Sequence, residues 1–367
     1  MPGGVDPSGT HRVIPHLVER LAEMTRRHEV HVVALRQQDH PGDWELAGAR
    51  VHAVGSPARR LRALRHLARE HRRRPFDVLH GFALVPQGAL VALAGRALGI
   101  PWVVEAPGGE FASLPDIGFG GWRRWPGRAW VRLACRGAGA CAVPSEPVRA
   151  LAASRGVDTT RVPLEISGRA WPTARGPATS SASRRVAWLG SLNEVKDPWL
   201  LVEIVSTLSA RGLDVAVDVV GEDLLGGAVQ RRAQDRGIGG RMTFHGFLTQ
   251  TRLREVLSRA ALLLVTSRHE GGPRSLLEAA SLGIPTVGTP VGYVAEWSPD
   301  AAVACRGADA LAAAVGGLLD DDARRAALGH RALQRLSAHD AERVASAWER
   351  LYEAARGGRG TLGRGAG

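Results

Sequence analysis

Two residue types are almost missing from this chain. Its 367 residues include one lysine, Lys196, and one asparagine, Asn193, although lysine and arginine together number 48. A compositional bias that replaces Lys with Arg explains the scarcity, but not where the survivors stand. Cysteine is scarce too. Cys135, Cys141 and Cys305 are odd in number, lack metal-ligand spacing and lie in Ala/Gly-rich apolar stretches. They read as reduced core or near-surface residues, which argues against a disulfide framework and a zinc site. No apolar run approaches the roughly eighteen residues of a membrane-spanning helix. The opening MPGGVDPSGT has neither the basic nor the apolar region of a signal peptide. The expectation is a cytoplasmic protein.

What is present is ordinary in quantity and uneven in sign. Apolar residues make up 44% and charged residues 23%, the proportions of a soluble globular protein. The formal charge of +12 calls for an anionic partner: nucleic acid, an acidic membrane surface or a phosphorylated small molecule. Short strand-like runs alternate with helical patterns: EVHVVAL (29–35), DVLHGF (77–82), PWVVEA (101–106) and ACAVPS (140–145). After the Pro/Ser/Thr-rich stretch 171–185 the rhythm restarts with VAWLG (186–190), DVAVDVVG (214–221), MTFHG (242–246), ALLLVTS (261–267) and IPTVGT (284–289). This predicts an α/β protein with two Rossmann-like domains, 1–170 and 186–356, facing across a cleft, a linker at 171–185 and a disordered tail at 357–367. PGGVDPSG, with Gly4, has the look of a glycine turn after a first strand, yet only Met1 precedes it. The N-terminal domain is therefore expected to lack its first strand, through a late start or a truncation, leaving a gap in its sheet.

The densest cluster of chemistry is RHEGGPRSLLEAASLGIPTVGTPVG (268–292). Glu270 ends a strand, Gly271, Gly272 and Pro273 make a turn, and Arg274 opens a helix that carries Glu278. Glycines there let backbone N–H groups approach a ligand, and the helix N-terminus adds partial positive charge. Two carboxylates so placed can address hydroxyls on two parts of an elongated ligand. They can equally be a helix N-terminal acid and an ordinary surface glutamate.

This segment, with seven residues between its glutamates and A-x-x-x-G-x-P after them, resembles the signature of retaining, nucleotide-sugar-dependent glycosyltransferases of family four, with the GT-B architecture. VAWLGSLNEVKDPWLLVEIVSTL is similar to that family's strand, turn and lysine-bearing loop. The resemblance implies an N-terminal acceptor domain and a C-terminal donor domain. It implies that Glu270 contacts the transferred sugar, Glu278 the ribose hydroxyls and Lys196 the diphosphate. Gly190, Ser191, Gly271, Gly272, Pro273 and Arg274 join the donor set, as do Gly4, His80 and Gly108 on the first domain. It also implies front-face attack assisted by the donor phosphate, a glycan or lipid-linked acceptor, and no cofactor or metal. Asp320, Asp321 and Asp322 read as a helix N-terminal cluster, not a magnesium site.

Two positions depart from the family pattern. Ser191 stands where members carry arginine, and Pro107 where they carry histidine. These departures shift phosphate neutralisation onto Lys196, with Arg274 or Arg268 assisting, and keep a catalytically inactive nucleotide-sugar-binding homologue in view beside a sugar-nucleotide epimerase or hydrolase. The basic helix SPARRLRALRHLAREHRRRP (56–75), with Leu61, Leu64, Leu67 and Ala68 at helical spacing, and the Trp/Arg segment 121–136 suit an anionic membrane surface, at the inner face of the plasma membrane; both can also be packed helices. A nucleic-acid partner is not expected, because no recognisable binding module or aromatic stacking motif accompanies the charge.

Overall fold

The computed structural model describes residues 5–7, 15–37, 39–56, 58–166, 168, 171–172 and 184–358. Gly4, most of the expected linker and the tail beyond 358 lie outside the described residues. The chain forms two units, one of Met1–Ser167 with Asp340–Gly367, the other of Gly168–His339.

In the first unit, α1 (Pro15–Thr25) buries Leu17 and Leu21, four positions apart on one face. Strand β1 (His31–Ala34) follows, then a hairpin of β2 (Pro41–Leu46) and β3 (Ala49–Val54). No sequence signal announces this hairpin. Its two-residue turn is Ala47–Gly48, with φ of 50° and 79°, a left-handed pair usually marked by Asn-Gly or Asp-Gly. Thr25 Oγ1 donates to the Ala47 carbonyl at 2.8 Å and steadies it.

Helix α2 (Arg59–Arg73) turns Ala63 inward and packs Leu64 and Leu67 of the expected apolar stripe against the core, but leaves Leu61 48% exposed. The unit continues with β4 (Leu79–Phe82), α3 (Ala89–Leu98), β5 (Trp102–Glu105), α4 (Trp125–Cys135), β6 (Ala140–Val143), α5 (Glu146–Ala153) and β7 (Thr160–Arg161). The strands form two sheets, β1-β3-β2 and the parallel β4-β5-β6-β7. Among the described residues no strand joins β1 to β4.

The second unit is one six-stranded parallel sheet wrapped by helices. In chain order it runs β8 (Arg185–Leu189), α6 (Pro198–Ala210), β9 (Ala216–Val220), α7 (Ala228–Asp235), β10 (Met242–Gly246), α8 (Gln250–Leu257), β11 (Leu262–Val265), α9 (Arg274–Ser281), β12 (Thr286–Gly288), α10 (Gly292–Trp297), β13 (Ala302–Ala304), α11 (Ala308–Asp320) and α12 (Asp322–Arg335). Every residue of β11 is buried, because helices cover both faces of a parallel sheet. Asp321 caps α12 through the Arg324 N–H at 2.8 Å. The spatial order is β10-β9-β8-β11-β12-β13, so the winding reverses between β8 and β11. In such sheets ligands bind outside the carboxyl ends of the strands at that reversal.

The last helix, α13 (Ala341–Gly357), corrects the expected domain boundary. It was assigned by sequence to the C-terminal domain, but it belongs to the first unit, where Val344, Trp348 and Tyr352 pack on Val103 and Ala142. Its attachment is a tertiary fact that local periodicity cannot carry.

Candidate active site

The reversal between β8 and β11 is where the predicted residues of the second unit converge. After β8 the chain passes through Gly190, and the loop that follows delivers Lys196. Asn193 builds that loop: its Oδ1 accepts from the Val195 N–H at 3.1 Å and the Lys196 N–H at 3.0 Å, an Asx-type turn. The only asparagine thus shapes the backbone that carries the only lysine. Sequence reading noticed both and missed the link between them.

The loop is strapped to the end of β11. Thr266 Oγ1 donates to the Lys196 carbonyl at 2.7 Å, and the Arg268 N–H donates to the Val195 carbonyl at 2.8 Å. Trp188 Nε1 in turn donates to Thr266 Oγ1 at 2.9 Å. Asp197, at φ 49°, caps α6 by accepting from the Leu200 N–H at 3.0 Å. Gly190 leaves room for the lysine stem, since a Cβ there would stand 3.2 Å from both Lys196 Cδ and Cε. Gly221 at the end of β9 is equally constrained: a Cβ would lie 2.0 Å from the Gly190 carbonyl oxygen.

Lys196 Nζ donates to Glu270 Oε1, which also accepts from Ser267 Oγ at 2.7 Å. Ser267 is held by Thr289 Oγ1, which donates to its carbonyl at 2.6 Å. The cation and the carboxylate assigned to neighbouring parts of a donor are therefore paired with each other.

The turn Gly271–Gly272–Pro273 then leads into α9. A Cβ on Gly272 would meet the Tyr293 ring at 2.6 Å, so this glycine is required by packing. Arg274 is the first residue of α9, a position whose helix dipole disfavours a cation. Its Nη1 is buried without a hydrogen-bond partner among the described residues, which suits it to an anionic ligand. Burial pushes the Glu278 carboxyl above its ordinary range, against the pull of Arg274 and Lys196. Ser191, half-buried, sits where the loop leaves Gly190.

The predicted residues of the first unit have other surroundings. His80 Nδ1 lies 2.9 Å from the Tyr352 hydroxyl, its Nε2 lies 3.6 Å from Glu105 Oε2, and its ring packs on Trp348 with centroids 4.5 Å apart. It is part of a buried network centred on Arg20, whose guanidinium reaches Glu105 at 2.7 Å and Glu165 at 2.9 Å. Gly108 N–H donates to Glu110 Oε2 at 3.0 Å, and a Cβ on Gly108 would meet nothing within 4 Å.

Two family models match the chain: residues 183–321 match glycosyl transferases group 1, and residues 8–164 match the glycosyl transferase 4-like domain. The chain is a group 1 glycosyltransferase with the GT-B fold. Among solved structures, this glycosyltransferase resembles the sucrose-phosphate synthase of Thermosynechococcus elongatus at 18% identity and TM-score 0.76, covering 92% of each chain. It resembles Anabaena HepE, solved with UDP-glucose, at 16% identity and TM-score 0.73, covering 92% of this chain and 95% of HepE. Staphylococcus aureus TarM follows at 14% identity and TM-score 0.66, covering 79% of the glycosyltransferase and 58% of TarM. No curated protein matches the glycosyltransferase by sequence.

Proposed function

We propose that the glycosyltransferase takes a nucleotide-diphosphate sugar and moves the sugar, with retention, to a glycan or lipid-linked acceptor. The observation that carries this reading is the Lys196–Glu270 pair at the sheet reversal, beside the unpartnered Nη1 of Arg274. Lys196 and Arg274 neutralise the diphosphate, Glu270 holds a hydroxyl of the transferred sugar, and Glu278 takes the ribose hydroxyls. The acceptor oxygen attacks the anomeric carbon on the face from which the nucleotide leaves. The bond from that carbon to the phosphate oxygen breaks, and the acceptor proton passes to the departing phosphate. Side-chain cations meet the developing charge, so the reading assigns no step to a metal or cofactor. HepE's complex with UDP-glucose supports a nucleotide sugar as the donor class.

The test combines binding, turnover and product analysis. A donor that binds the native state raises its thermal midpoint, so a panel of nucleotide sugars should yield at least one stabilising member. Glu278→Gln should abolish most of that shift. Glu270→Gln should keep the shift and lower kcat, because only contacts stronger in the transition state accelerate chemistry. NMR of the product should show the donor's anomeric configuration. Two variants indistinguishable from wild type, or an inverted product, would overturn the assignment.

We assign the acceptor side to an anionic membrane surface. Helix α4 exposes Trp125 by 75% and Trp130 by 41% near Arg124 and Arg128, while Trp122 belongs to the core beneath Arg132. Together with the arginines of α2 this gives cations and amphipathic rings suited to a headgroup layer. Among the described residues no helix is long and apolar enough to cross a membrane. Vesicles rich in anionic lipid should retain the protein at low salt and release it as screening increases. Equal retention by neutral vesicles would defeat the electrostatic part of this proposal.

A further inference from the structure

Two of the three cysteines meet in the first unit. A loop of five Arg, Gly and Ala residues separates them in the sequence, and the fold brings that loop back so that Cys135 Sγ donates to Cys141 Sγ at 3.3 Å. Both thiols are free in this structure. Cys135 is the last residue of α4 and half-buried, whereas Cys141 lies within β6 and is 5% exposed. Neither belongs to the donor site of the second unit.

The contact is fixed by its frame. The Arg136 N–H donates to the Arg132 carbonyl at 2.8 Å and the Ala138 N–H to the Cys135 carbonyl at 3.1 Å, so the chain leaves α4 in a tight turn through Gly137 at φ 79°. The Gly139 N–H then donates to the Trp102 carbonyl at 2.8 Å, and a Cβ on Gly139 would stand 2.4 Å from Ala355 Cβ of α13. Trp102 Nε1 donates back to the Ala134 carbonyl at 3.2 Å. Val131, Ala134, Cys141 and Val143 share one core cluster beneath the turn. The sulfurs therefore cannot drift apart without unpacking the end of α4.

Such a pair is prepared for one chemistry. A disulfide sets its sulfurs about 2.05 Å apart, so thiols already at 3.3 Å close the bond with little movement. Folding has brought them together in advance, and an intramolecular partner of this kind outcompetes a small thiol that must be captured from solution. Exposure sets the order of events. Cys135 is the thiol that solvent reaches, while contact with Cys135 and burial push the Cys141 thiol above its ordinary range and keep it protonated.

We propose that Cys135 and Cys141 are a modification site, a reversible disulfide formed by exchange with small disulfides of the glutathione class. Cys135 gives its proton to solvent and attacks one sulfur of oxidised glutathione; the S–S bond breaks, and the first glutathione leaves as a thiolate that takes up a proton. Cys141 then gives up its proton, attacks the Cys135 sulfur of the mixed disulfide and expels the second glutathione. Two protein thiols are oxidised and one small disulfide is reduced to two thiols. The new bond ties the C-terminal end of α4 to β6.

Mass spectrometry of the full-length protein tests this, after equilibration over a series of reduced-to-oxidised glutathione ratios, acid quenching and alkylation under denaturing conditions. The oxidised form should be two hydrogens lighter and keep one alkylatable thiol, at Cys305. Cleavage after arginine should release peptides 133–136 and 137–149 joined to each other and separable by dithiothreitol. The amides of Arg136 and Ala138 should exchange about tenfold more slowly once the bond has formed. Cys141→Ser should hold Cys135 as its glutathione adduct, and Cys135→Ser should leave Cys141 a thiol. Recovery of wild type with both thiols alkylated under excess oxidised glutathione overturns the proposal. So does a lasting glutathione adduct on wild-type Cys135, or a bond from either cysteine to Cys305 or to a second chain.

Discussion

Lys196→Ala should lower kcat by about a hundred- to a thousandfold, the usual cost of removing one well-placed donor to developing negative charge. The more revealing variant is Lys196→Arg. The chain uses arginine for every other permanent cation, so charge alone does not explain a lysine here. The geometry does. The lysine stem lies 3.2 Å from where a Gly190 Cβ would stand, and its ammonium reaches Glu270 Oε1 from a loop fixed by Asn193 and Thr266. A flexible stem ending in a point charge fits that channel, whereas a planar fork is wider and spreads its charge. Lys196→Arg should therefore recover much of the donor affinity lost in Lys196→Ala and leave turnover well below wild type. Steady-state kinetics with Lys196→Arg fully active would assign the lone lysine to compositional chance.

Arg20→Met should destabilise the first unit by about 3–5 kcal/mol, because it strands two buried carboxylates. Side chains of Arg20, Glu105 and Glu165 are 10%, 5% and 3% exposed, so water cannot replace the lost cation. For a unit of this size each kcal/mol corresponds to about 2–4 °C in the thermal midpoint. The triple change Arg20→Met, Glu105→Gln, Glu165→Gln should recover most of the loss, since neutral amides do not need the guanidinium.

The pH dependence has a definite sign. Burial alone would raise the Glu105 carboxyl, but Arg20, aided by His80, outweighs it and holds the group down to about 2. A carboxyl depressed in the folded state contributes stability above its unfolded value, and that contribution is lost as pH falls toward 2. In Arg20→Met the same burial is opposed by His80 without the guanidinium, so acid should relieve that variant while it weakens wild type. Denaturation curves at neutral and at acid pH should show the gap between the two narrowing. A constant gap would mean that the network contributes by packing and not by charge.

The sequence announced most of the second unit. Its strands are unbroken apolar runs because both faces are covered, and runs such as ALLLVTS can be placed to within a residue or two of β11. The β2–β3 hairpin was illegible because Ala47 occupies a left-handed turn position that local chemistry assigns to Asn, Asp or Gly. The pairing of Lys196 with Glu270 could not be read either. The two lie 74 positions apart, and only the sheet order brings the ends of β8 and β11 together. Asn193 was visible as a rarity, but its role depends on a backbone turn that composition does not reveal. The Arg20 network left no signal at all, since an arginine and two glutamates spread over 145 positions are indistinguishable from surface residues until the fold buries them.

The return of α13 to the first unit inverts the order in which the protein can mature on the ribosome. Domains ordinarily fold as they emerge, the N-terminal one first, with synthesis at about 5–20 residues per second. Here the whole of Gly168–His339 is translated before Trp348 and Tyr352 exist to cover Val103 and Ala142. The second unit is complete while the first still lacks the helix that covers Val103 and Ala142. The nascent first unit thus lacks that cover for as long as the second takes to be made.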